Sequence, residues 1–315
     1  MSDAIVFRPL FMERVWGGRR LEELLGKPLP PGAVIGEAWE VVDRPEAQSV
    51  VAGGEHEGRT LHDLWMGPDR ARLFGARAAA AWGDRYPLLV KILDCEDTLS
   101  VQVHPPAAVA ARLGGEPKTE MWVVVAARPG AHLFAGLRPG VTRAGFETAL
   151  RAGEDVSALL QKVDSAAGDV MFLPSGRVHA IGAGNLIFEV QQNSDTTYRV
   201  FDFHRPGLDG RPRELHVDES LASIDWDDVD PPLVRPDGDV LVAADVFEVE
   251  RWAVAGERRA TTPGESAIVA VAGGEATVAG ATLRPGDFAL VPADAADPAV
   301  RGDGATVLRI QLPAR

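Results

Sequence analysis

The sequence predicts a mainly β fold made of two β-barrels, with short helical insertions in the N-terminal part. Strand-like apolar runs recur along the 315 residues between turns of Gly, Pro and Asp. A Gly-Asp pair followed by four apolar residues and a proline occurs at 168–174 and again at 286–292. This repeated spacing indicates two related β units. The acidic, proline-rich segment 225–239 separates them, so we predict domains over residues 1–235 and 236–315.

The helical insertions are expected where good helix formers lie between Gly or Pro residues. The first, at 19–25, is stopped by Gly26 and Pro28. The others are predicted from residue 60 onwards, over the Ala- and Arg-rich residues 69–82, and at 107–113, 142–152 and 156–163. All of these segments precede residue 168, so they fall in the predicted N-terminal domain.

Two predicted strands of this domain carry charged residues at unusual positions. The near-continuous apolar run 87–94 is typical of a strand buried on both faces, yet Lys91 lies at its centre. A lysine in that position is expected either to extend its ammonium to water or to be functional. In the strand predicted at 118–125, Lys118 and Glu120 are two residues apart and therefore share one face.

A third strand-like segment, 99–105, shows the strict alternation of a half-buried strand. Its polar residues Ser100, Gln102 and His104 alternate with Leu and Val, which places all three on one face of the strand. A single buried histidine is usually a satisfied core residue. Three polar residues on one face are instead poor filling for a core, since each buried polar group needs a partner.

The turn after the first Gly-Asp motif leads to a histidine. Pro174 to Gly176 forms a tight turn, and His179 begins the returning strand, which places His179 on the inner wall of a β-sandwich or barrel. The pattern Gly-Asp-x4-Pro-x-Gly-x2-His resembles the second sequence motif of the cupin superfamily, whose barrels are jelly rolls. The equivalent position of the second unit is Asp297, and no histidine follows His216. We therefore predict a C-terminal cupin-type barrel without a metal site.

Together these positions predict a metal centre. Two imidazoles and a carboxylate, from His104, His179 and Glu120, with the amide oxygen of Gln102 nearby, suit a divalent metal such as Zn, Mn or Fe. The remaining histidines lack a comparable setting and are interpreted as structural or surface residues: His56, His62, His132, His204 and His216.

Three cations inside strand-like sequence lie near the predicted metal centre. Lys91, Lys118 and Arg199 would ordinarily be salt-bridge partners of the many carboxylates. As a group they would also hold a phosphate, for which arginine is suited by its bidentate geometry.

Composition narrows the classes of partner. A net charge of −14 and a pI of about 5.0 argue against nucleic acid and against an anionic membrane surface, since both require a basic patch. The single cysteine, Cys95, fits a reducing compartment. We see neither a signal peptide nor a transmembrane stretch and expect a cytoplasmic protein.

With these residues in view, the chain resembles a type I mannose-6-phosphate isomerase of the short bacterial form, within the cupin superfamily. The matching segments cover much of residues 1–205: FMERVWGG (11–18), GEAWEVVDR (36–44), PLLVKILDCEDTLSVQVHP (87–105), KTEMWV (118–123) and residues 173–205. The resemblance implies one Zn²⁺ per chain in the N-terminal cupin, held by Gln102, His104, Glu120 and His179. It also implies an active-site Arg199, pocket residues Ser100, Lys118 and Glu189, and a nearby Lys91.

The implied reaction is the interconversion of mannose 6-phosphate and fructose 6-phosphate, with a small sugar phosphate as the partner. Either Glu189 or Lys118 would be the base that moves the proton. Three other interpretations stay open on these residues. The two-His-one-carboxylate set also suits a non-haem iron oxygenase. The barrel also suits a non-catalytic sugar-binding or regulatory cupin, and the same site also suits an isomerase that acts on a different sugar or sugar phosphate.

Overall fold

The structure, a computed structural model, describes residues 3–313. Strands up to residue 164 are β1 (Ile5–Arg8), β2 (Leu10–Gly18), β3 (Ile35–Val41), β4 (Asp43–Arg44), β5 (Ala47–Gln48), β6 (Val50–Val51), β7 (Leu88–Cys95), β8 (Val101–Val103), β9 (Glu120–Ala127), β10 (His132–Leu137) and β11 (Leu160–Asp164). The later strands are β12 (Val170–Leu173), β13 (His179–Ile181), β14 (Asn185–Gln192), β15 (Tyr198–Phe201), β16 (Val240–Ala243), β17 (Glu248–Arg259), β18 (Ala267–Gly273), β19 (Ala276–Val278), β20 (Ala281–Leu283), β21 (Phe288–Val291) and β22 (Ala299–Gln311). The helices are α1 (Arg20–Leu25), α2 (Leu61–Trp65), α3 (Arg70–Phe74), α4 (Ala76–Ala81), α5 (Ala107–Ala110), α6 (Arg143–Arg151) and α7 (Val217–Ser223).

Two antiparallel sheets of the N-terminal part enclose the predicted site. One has the strand order β12-β9-β14-β7-β3-β2, and the other has the order β11-β10-β13-β8-β15. Their facing sides share a core in which Leu93 and Trp122 of the six-stranded sheet pack with Leu133 and Ile181 of the five-stranded sheet. The two sheets therefore enclose an apolar core at one end and the polar residues of the site at the other.

The other face of the six-stranded sheet packs on the C-terminal sheet. That sheet runs β16-β17-β22-β18-β21-β1-β6, with β19 and β20 attached through β22. Ile92 and Phe188 belong to the same core as Leu290 and Ile310, and the rings of Phe188 and Phe288 lie 5.1 Å apart. Because side chains alternate along a strand, β7 and β14 point these apolar residues one way and their charged residues into the site.

The predicted mainly β fold with cupin-type sheets is confirmed. In the strand orders of residues 3–313 the sheets remain open, so the predicted barrels are sandwiches of sheets here. The first strand, β1, pairs with β21, with Ile5 opposite Leu290, so the N-terminal residues complete the C-terminal sheet. The division at residue 235 stays a prediction.

Several local expectations need correction. The predicted helix 69–82 is two helices, because Gly75 between them has φ +95° and a Cβ there would lie 2.4 Å from the Gly264 carbonyl oxygen. The helix predicted at 156–163 is wrong: a 3₁₀ turn over Val156–Leu159 leads directly into β11, which pairs with β10. Of the strand predicted at 99–105, only β8 has strand geometry.

The helix at 142–152 is confirmed as α6, with the Thr142 hydroxyl capping its start by accepting the Gly145 N–H. No helix in the described part of the chain is long and apolar enough to cross a membrane.

Candidate active site

Three buried side chains, His104, Glu120 and His179, meet between the five- and six-stranded sheets. Their ligand-type atoms all lie within 4.8 Å of one another. Glu120 begins β9, His179 begins β13, and His104 directly follows β8. The Nε2 atoms of His104 and His179 each lie 3.4 Å from a different carboxylate oxygen of Glu120. Two imidazoles and a carboxylate at this spacing form a donor set for a divalent transition metal.

Hydrogen bonds orient both imidazoles for metal binding. His104 Nδ1 lies 2.9 Å from the Thr196 carbonyl oxygen, and His179 Nδ1 lies 2.9 Å from the Arg177 carbonyl oxygen. A carbonyl oxygen only accepts, so each Nδ1 donates a proton and each Nε2 turns a lone pair into the cluster. Glu120 Oε1 is buried without a hydrogen-bond donor, whereas the Lys118 ammonium lies 2.7 Å from Oε2. A buried acceptor without a donor costs free energy, so the residues fit a bound cation.

The charges around Glu120 keep its carboxylate ionised. Burial raises the pKa of Glu120, but the Lys118 ammonium and His104 outweigh burial and hold that pKa well below its usual range. Lys118 Nζ lies 2.7 Å from Glu120 Oε2 and 3.2 Å from His104 Nε2. Burial lowers the pKa of His104, and it lowers the pKa of His179 to about 3. Both imidazoles are therefore neutral near pH 7, which is the form that binds metals.

Gln102, His179 and Arg199 lie side by side on three neighbouring strands. Gln102 on β8 is opposite His179 on β13 and opposite Arg199 on β15. Directly opposite residues point to the same face of a sheet, so these side chains form one row along the cavity. The Gln102 amide nitrogen lies 3.3 Å from His179 Nε2. Rotation of this amide would bring its oxygen to the same point, as a ligand role requires.

Arg199 is half-buried and forms no ion pair within residues 3–313. Its Nη1 donates to the Glu214 carbonyl oxygen at 2.8 Å, and its buried Nε has no hydrogen-bond partner. Burial lowers the pKa of Arg199, and the nearby Arg213 guanidinium lowers it further by repulsion. A guanidinium with spare donors and a cationic neighbour is a ready contact for an anion.

The six-stranded sheet supplies the opposite wall of the site. Lys91 on β7 is directly opposite Glu189 on β14, with Lys91 Nζ 3.6 Å from Glu189 Oε1. The same ammonium lies 4.0 Å from Glu37 Oε2 and 4.8 Å from the centroid of the Trp39 ring. The Trp122 indole donates to Glu189 Oε2 at 3.0 Å. Burial raises the pKa of Glu189, and its contacts with Trp122 and Lys91 of the same sheet hold the carboxylate in a fixed orientation.

A cavity of about 520 Å³ opens between these walls. Two residues of the cavity lining contact the histidines of the cluster: Gln102 contacts His179, and Lys118 contacts His104. The metal-binding cluster therefore lies directly beside the cavity. Its charged and hydroxyl lining includes Glu13, Arg14, Glu37, Lys91, Ser100, Lys118, Glu189, Asp195, Thr197, Arg199, Asp209 and Arg213.

All residues that the sequence nominated meet at this one place. Lys91, Ser100, Gln102, Lys118, Glu189 and Arg199 line the cavity, and His104, Glu120 and His179 adjoin it. Ser100 and Lys118 lie just before β8 and β9, outside the strands in which they were expected. His216, interpreted as structural, accepts the Arg199 backbone N–H through Nδ1 at 3.0 Å.

Sequence reasoning missed six charged residues of the cavity: Glu13, Arg14, Glu37, Asp195, Asp209 and Arg213. Glu37 carried a usable signal, a carboxylate inside an apolar strand, which is the signal that singled out Lys91. Arg14 and Arg213 carried none, because β2 is irregularly paired and Arg213 lies in a Gly- and Pro-rich loop. Asp297, at the position equivalent to His179, lies in the loop between β21 and β22 and pairs with Arg301 at 2.7 Å.

Comparison with known proteins decides the family. The catalytic domain of type I phosphomannose isomerase matches residues 6–129 of the chain. A mannose-6-phosphate isomerase of Streptococcus mutans is 35% identical over 303 residues, which is 93% of both chains. The chain belongs to the type I phosphomannose isomerase family. A mannose-6-phosphate isomerase of Bacillus subtilis is 40% identical over 226 residues, covering 71% of this chain and 69% of the relative.

Solved structures of the family agree with the architecture. A crystal structure of the mannose 6-phosphate isomerase from Bacillus subtilis superimposes with a TM-score of 0.85 at 30% identity, covering 98% of this chain and 100% of that one. A putative mannosephosphate isomerase from Archaeoglobus fulgidus, at 23% identity, shares the fold with a TM-score of 0.81. These matches do not favour an iron oxygenase or a sugar-binding protein without activity.

Proposed function

We propose that the protein interconverts mannose 6-phosphate and fructose 6-phosphate. The observation that carries this proposal is the metal-binding cluster of His104, Glu120 and His179 at the surface of a cavity lined by several cations. That combination suits an isomerase of a sugar phosphate, because a metal polarises the sugar carbonyl and cations hold the negatively charged phosphate. The relatives that match most of the chain are named mannose-6-phosphate isomerases, which supports the substrate.

The cofactor we propose is one Zn²⁺ per chain, held by His104, Glu120, His179 and the Gln102 amide oxygen. A mannose 6-phosphate isomerase with this fold, at 19% identity, has been solved bound with zinc and yttrium. When bound, the metal polarises sugar oxygens and thereby acidifies the neighbouring C–H bond. The two imidazoles are neutral and Glu120 is ionised, so the three side chains already have the protonation states that binding of such a cation requires.

Glu189 is the residue we assign as the base. Isomerisation removes a proton from the carbon beside the carbonyl and returns it to the adjacent carbon. Glu189 lines the cavity, is fixed by the Trp122 indole, and has a raised pKa, which brings a carboxylate closer to the basicity that this transfer needs. Lys118 is instead occupied by Glu120 at 2.7 Å, where it stays protonated and keeps the cluster oriented.

Arg199 stabilises the negative charge that develops on the sugar oxygens. It stands beside Gln102 in the same row of side chains, and its unpartnered Nε and half-buried guanidinium are available to an oxyanion. Lys91 and Ser100 line the same cavity and bind the sugar. The Lys91 ammonium, 3.6 Å from Glu189 Oε1, also stabilises the ionised form of Glu189.

The test is a coupled assay of the purified protein on mannose 6-phosphate, before and after chelation and after Zn²⁺ is restored. We expect fructose 6-phosphate formation that is lost with the metal and returns with it. Protein that holds one metal per chain yet converts no mannose 6-phosphate would refute the substrate.

Variants then separate the roles. Glu189→Gln should lower kcat by about 10²- to 10⁴-fold with metal content retained. Arg199→Ala should also lower turnover by orders of magnitude with the metal bound. Glu13→Gln, at an exposed carboxylate that lines the same cavity, is the matched control and should remain close to wild type. A fully active Glu189→Gln protein would remove Glu189 as the base.

A further inference from the structure

A sugar phosphate has its reacting carbons and its phosphate at opposite ends, so the cavity needs an anion site away from the metal cluster. Three of its cations are already neutralised. Lys118 pairs with Glu120, Lys91 lies between Glu37 and Glu189, and Arg14 donates to Glu37 at 2.9 Å. Of the other two cavity cations, Arg199 forms no ion pair within the described residues, and Arg213 shares its partner Asp202 with Arg205.

Arg213 is held in place with part of its guanidinium unused. Its Nε and one terminal nitrogen donate to the two carboxylate oxygens of Asp202, at 2.6 and 2.5 Å. Its Nη1 makes no hydrogen bond within the described residues. A bidentate carboxylate contact fixes the plane of a guanidinium, which leaves the remaining donors aimed in a constant direction.

The charge around Arg213 is not balanced by its partner. Asp202 also accepts from Arg205 Nε at 3.0 Å, so one carboxylate serves two guanidiniums. Arg205 reaches one further carboxylate, the exposed Asp97 at 3.4 Å. Arg199, which forms no ion pair within the described residues, brings a third guanidinium to this cluster, close to Asp202 and to the exposed Glu214. Asp202 itself is 5% exposed, so water screens the cluster poorly.

The strand order places this cluster of guanidiniums at the far end of the row of site residues. His179, Gln102 and Arg199 stand on β13, β8 and β15, and β15 is the edge strand. The segment that follows Arg213 runs beside that edge, with the His216 N–H donating to the Arg199 carbonyl oxygen at 2.8 Å. Two strand spacings, about 10 Å, separate the backbones of β13 and β15. A substrate with its carbonyl at the metal cluster extends along this row towards Arg213.

We propose that Arg213 is the phosphate-binding residue that makes the enzyme specific for a phosphorylated sugar, with Asp202 as the positioning residue that orients it. This rests on the proposed function, since it assigns one end of the same substrate. Arg199 stays with the reacting oxygens, and Arg213 contacts the phosphate.

The experiment compares Arg213→Ala and Arg213→Lys with Arg211→Ala, which removes an exposed arginine of the same loop that does not line the cavity. In Arg213→Ala we expect KM for mannose 6-phosphate to rise about 10- to 100-fold, the value of a lost charge-assisted hydrogen bond, with kcat changed less than about threefold. Arg213→Lys should recover part of the loss, and Arg211→Ala should match wild type.

Inorganic phosphate gives a second measurement that needs no turnover. By calorimetry and by competitive inhibition, Arg213→Ala should bind phosphate at least about tenfold more weakly than wild type. Unchanged KM and unchanged phosphate affinity would overturn the proposal, as would a fall in kcat equal to that of Arg199→Ala. If wild type binds phosphate through Arg213 but converts no mannose 6-phosphate, the proposed function fails while the anion site stands.

Discussion

Lys91 lies directly opposite Glu189 in the ladder between β7 and β14, and its ammonium also approaches Glu37. Lys91 and Glu189 are only 4% and 3% exposed. One buried cation thus compensates two carboxylates on the cavity wall. Burial would raise the pKa of Glu37, but Lys91 and then Arg14 lower it to about 2. Lys91, which interrupts an apolar strand, therefore interacts with both carboxylates of that wall.

Lys91→Met should destabilise the protein strongly, because it leaves the buried Glu189 carboxylate without its paired cation and removes one of the two cations beside Glu37. We expect the free energy of unfolding, from urea titration at pH 7, to fall by about 3 to 5 kcal/mol. The control is Arg128→Met, which breaks the exposed pair with Glu96 and should cost about 1 kcal/mol or less. Equal losses in the two variants would show that Lys91 is not compensating buried charge.

His104→Ala should remove one strong metal ligand and weaken Zn²⁺ binding by more than about 100-fold, since even outer-shell partners of a ligand contribute 10- to 100-fold. Gln102→Ala should cause a smaller loss, because its amide is a weaker donor than an imidazole. His132→Ala, at a histidine outside the cluster, should bind zinc as wild type does. The measurement is competition with a chromophoric chelator, and undiminished affinity in His104→Ala would contradict the ligand assignment.

Asp94 should make stability depend on pH between about 4 and 6. Burial raises the pKa of Asp94 to about 6, although the Arg20 backbone N–H donates to Oδ2 at 2.7 Å. The folded protein then holds this proton to higher pH than the unfolded chain does. Stability therefore falls as pH rises from the unfolded pKa of 3.8 to about 6, by at most about 3 kcal/mol.

Asp94→Asn lacks this titration and keeps an acceptor for the Arg20 N–H. Urea unfolding of both proteins from pH 4 to pH 7 should show the variant gaining on wild type as pH rises, with the gain complete above pH 6. Parallel curves across that range would mean that Asp94 ionises in the folded state as it does in the unfolded chain.

Gly75→Ala should destabilise the contact between the helical insertions and the C-terminal part. A side chain at φ +95° is strained, and its Cβ would collide with the Gly264 carbonyl oxygen. We expect a loss of about 2 kcal/mol or more in urea unfolding. Gly83→Ala is the control, since its added Cβ meets nothing within 4 Å and Gly83 does not have positive φ. A Gly75→Ala protein as stable as the control would show that the backbone moves aside freely.

Much of the candidate site was readable from residue types and their spacing. His104, Glu120, His179 and Lys91 each stood out because a polar residue in an apolar strand needs a partner. Periodicity failed where structure is set by distant contacts. Residues 156–163 have a helix-compatible composition, yet pairing with β10 turns the second half of that segment into strand β11.

By itself the sequence determined the β architecture and the family and nominated the proposed metal ligands, because alternation and short motifs are local properties of the chain. A cytoplasmic location remains a prediction. Only the tertiary structure decided that β1 completes the C-terminal sheet, that Glu37 shares Lys91 with Glu189, and that Arg213 reaches the cavity. Strand pairing and loop placement depend on which distant surfaces bury each other, and no local pattern encodes that choice.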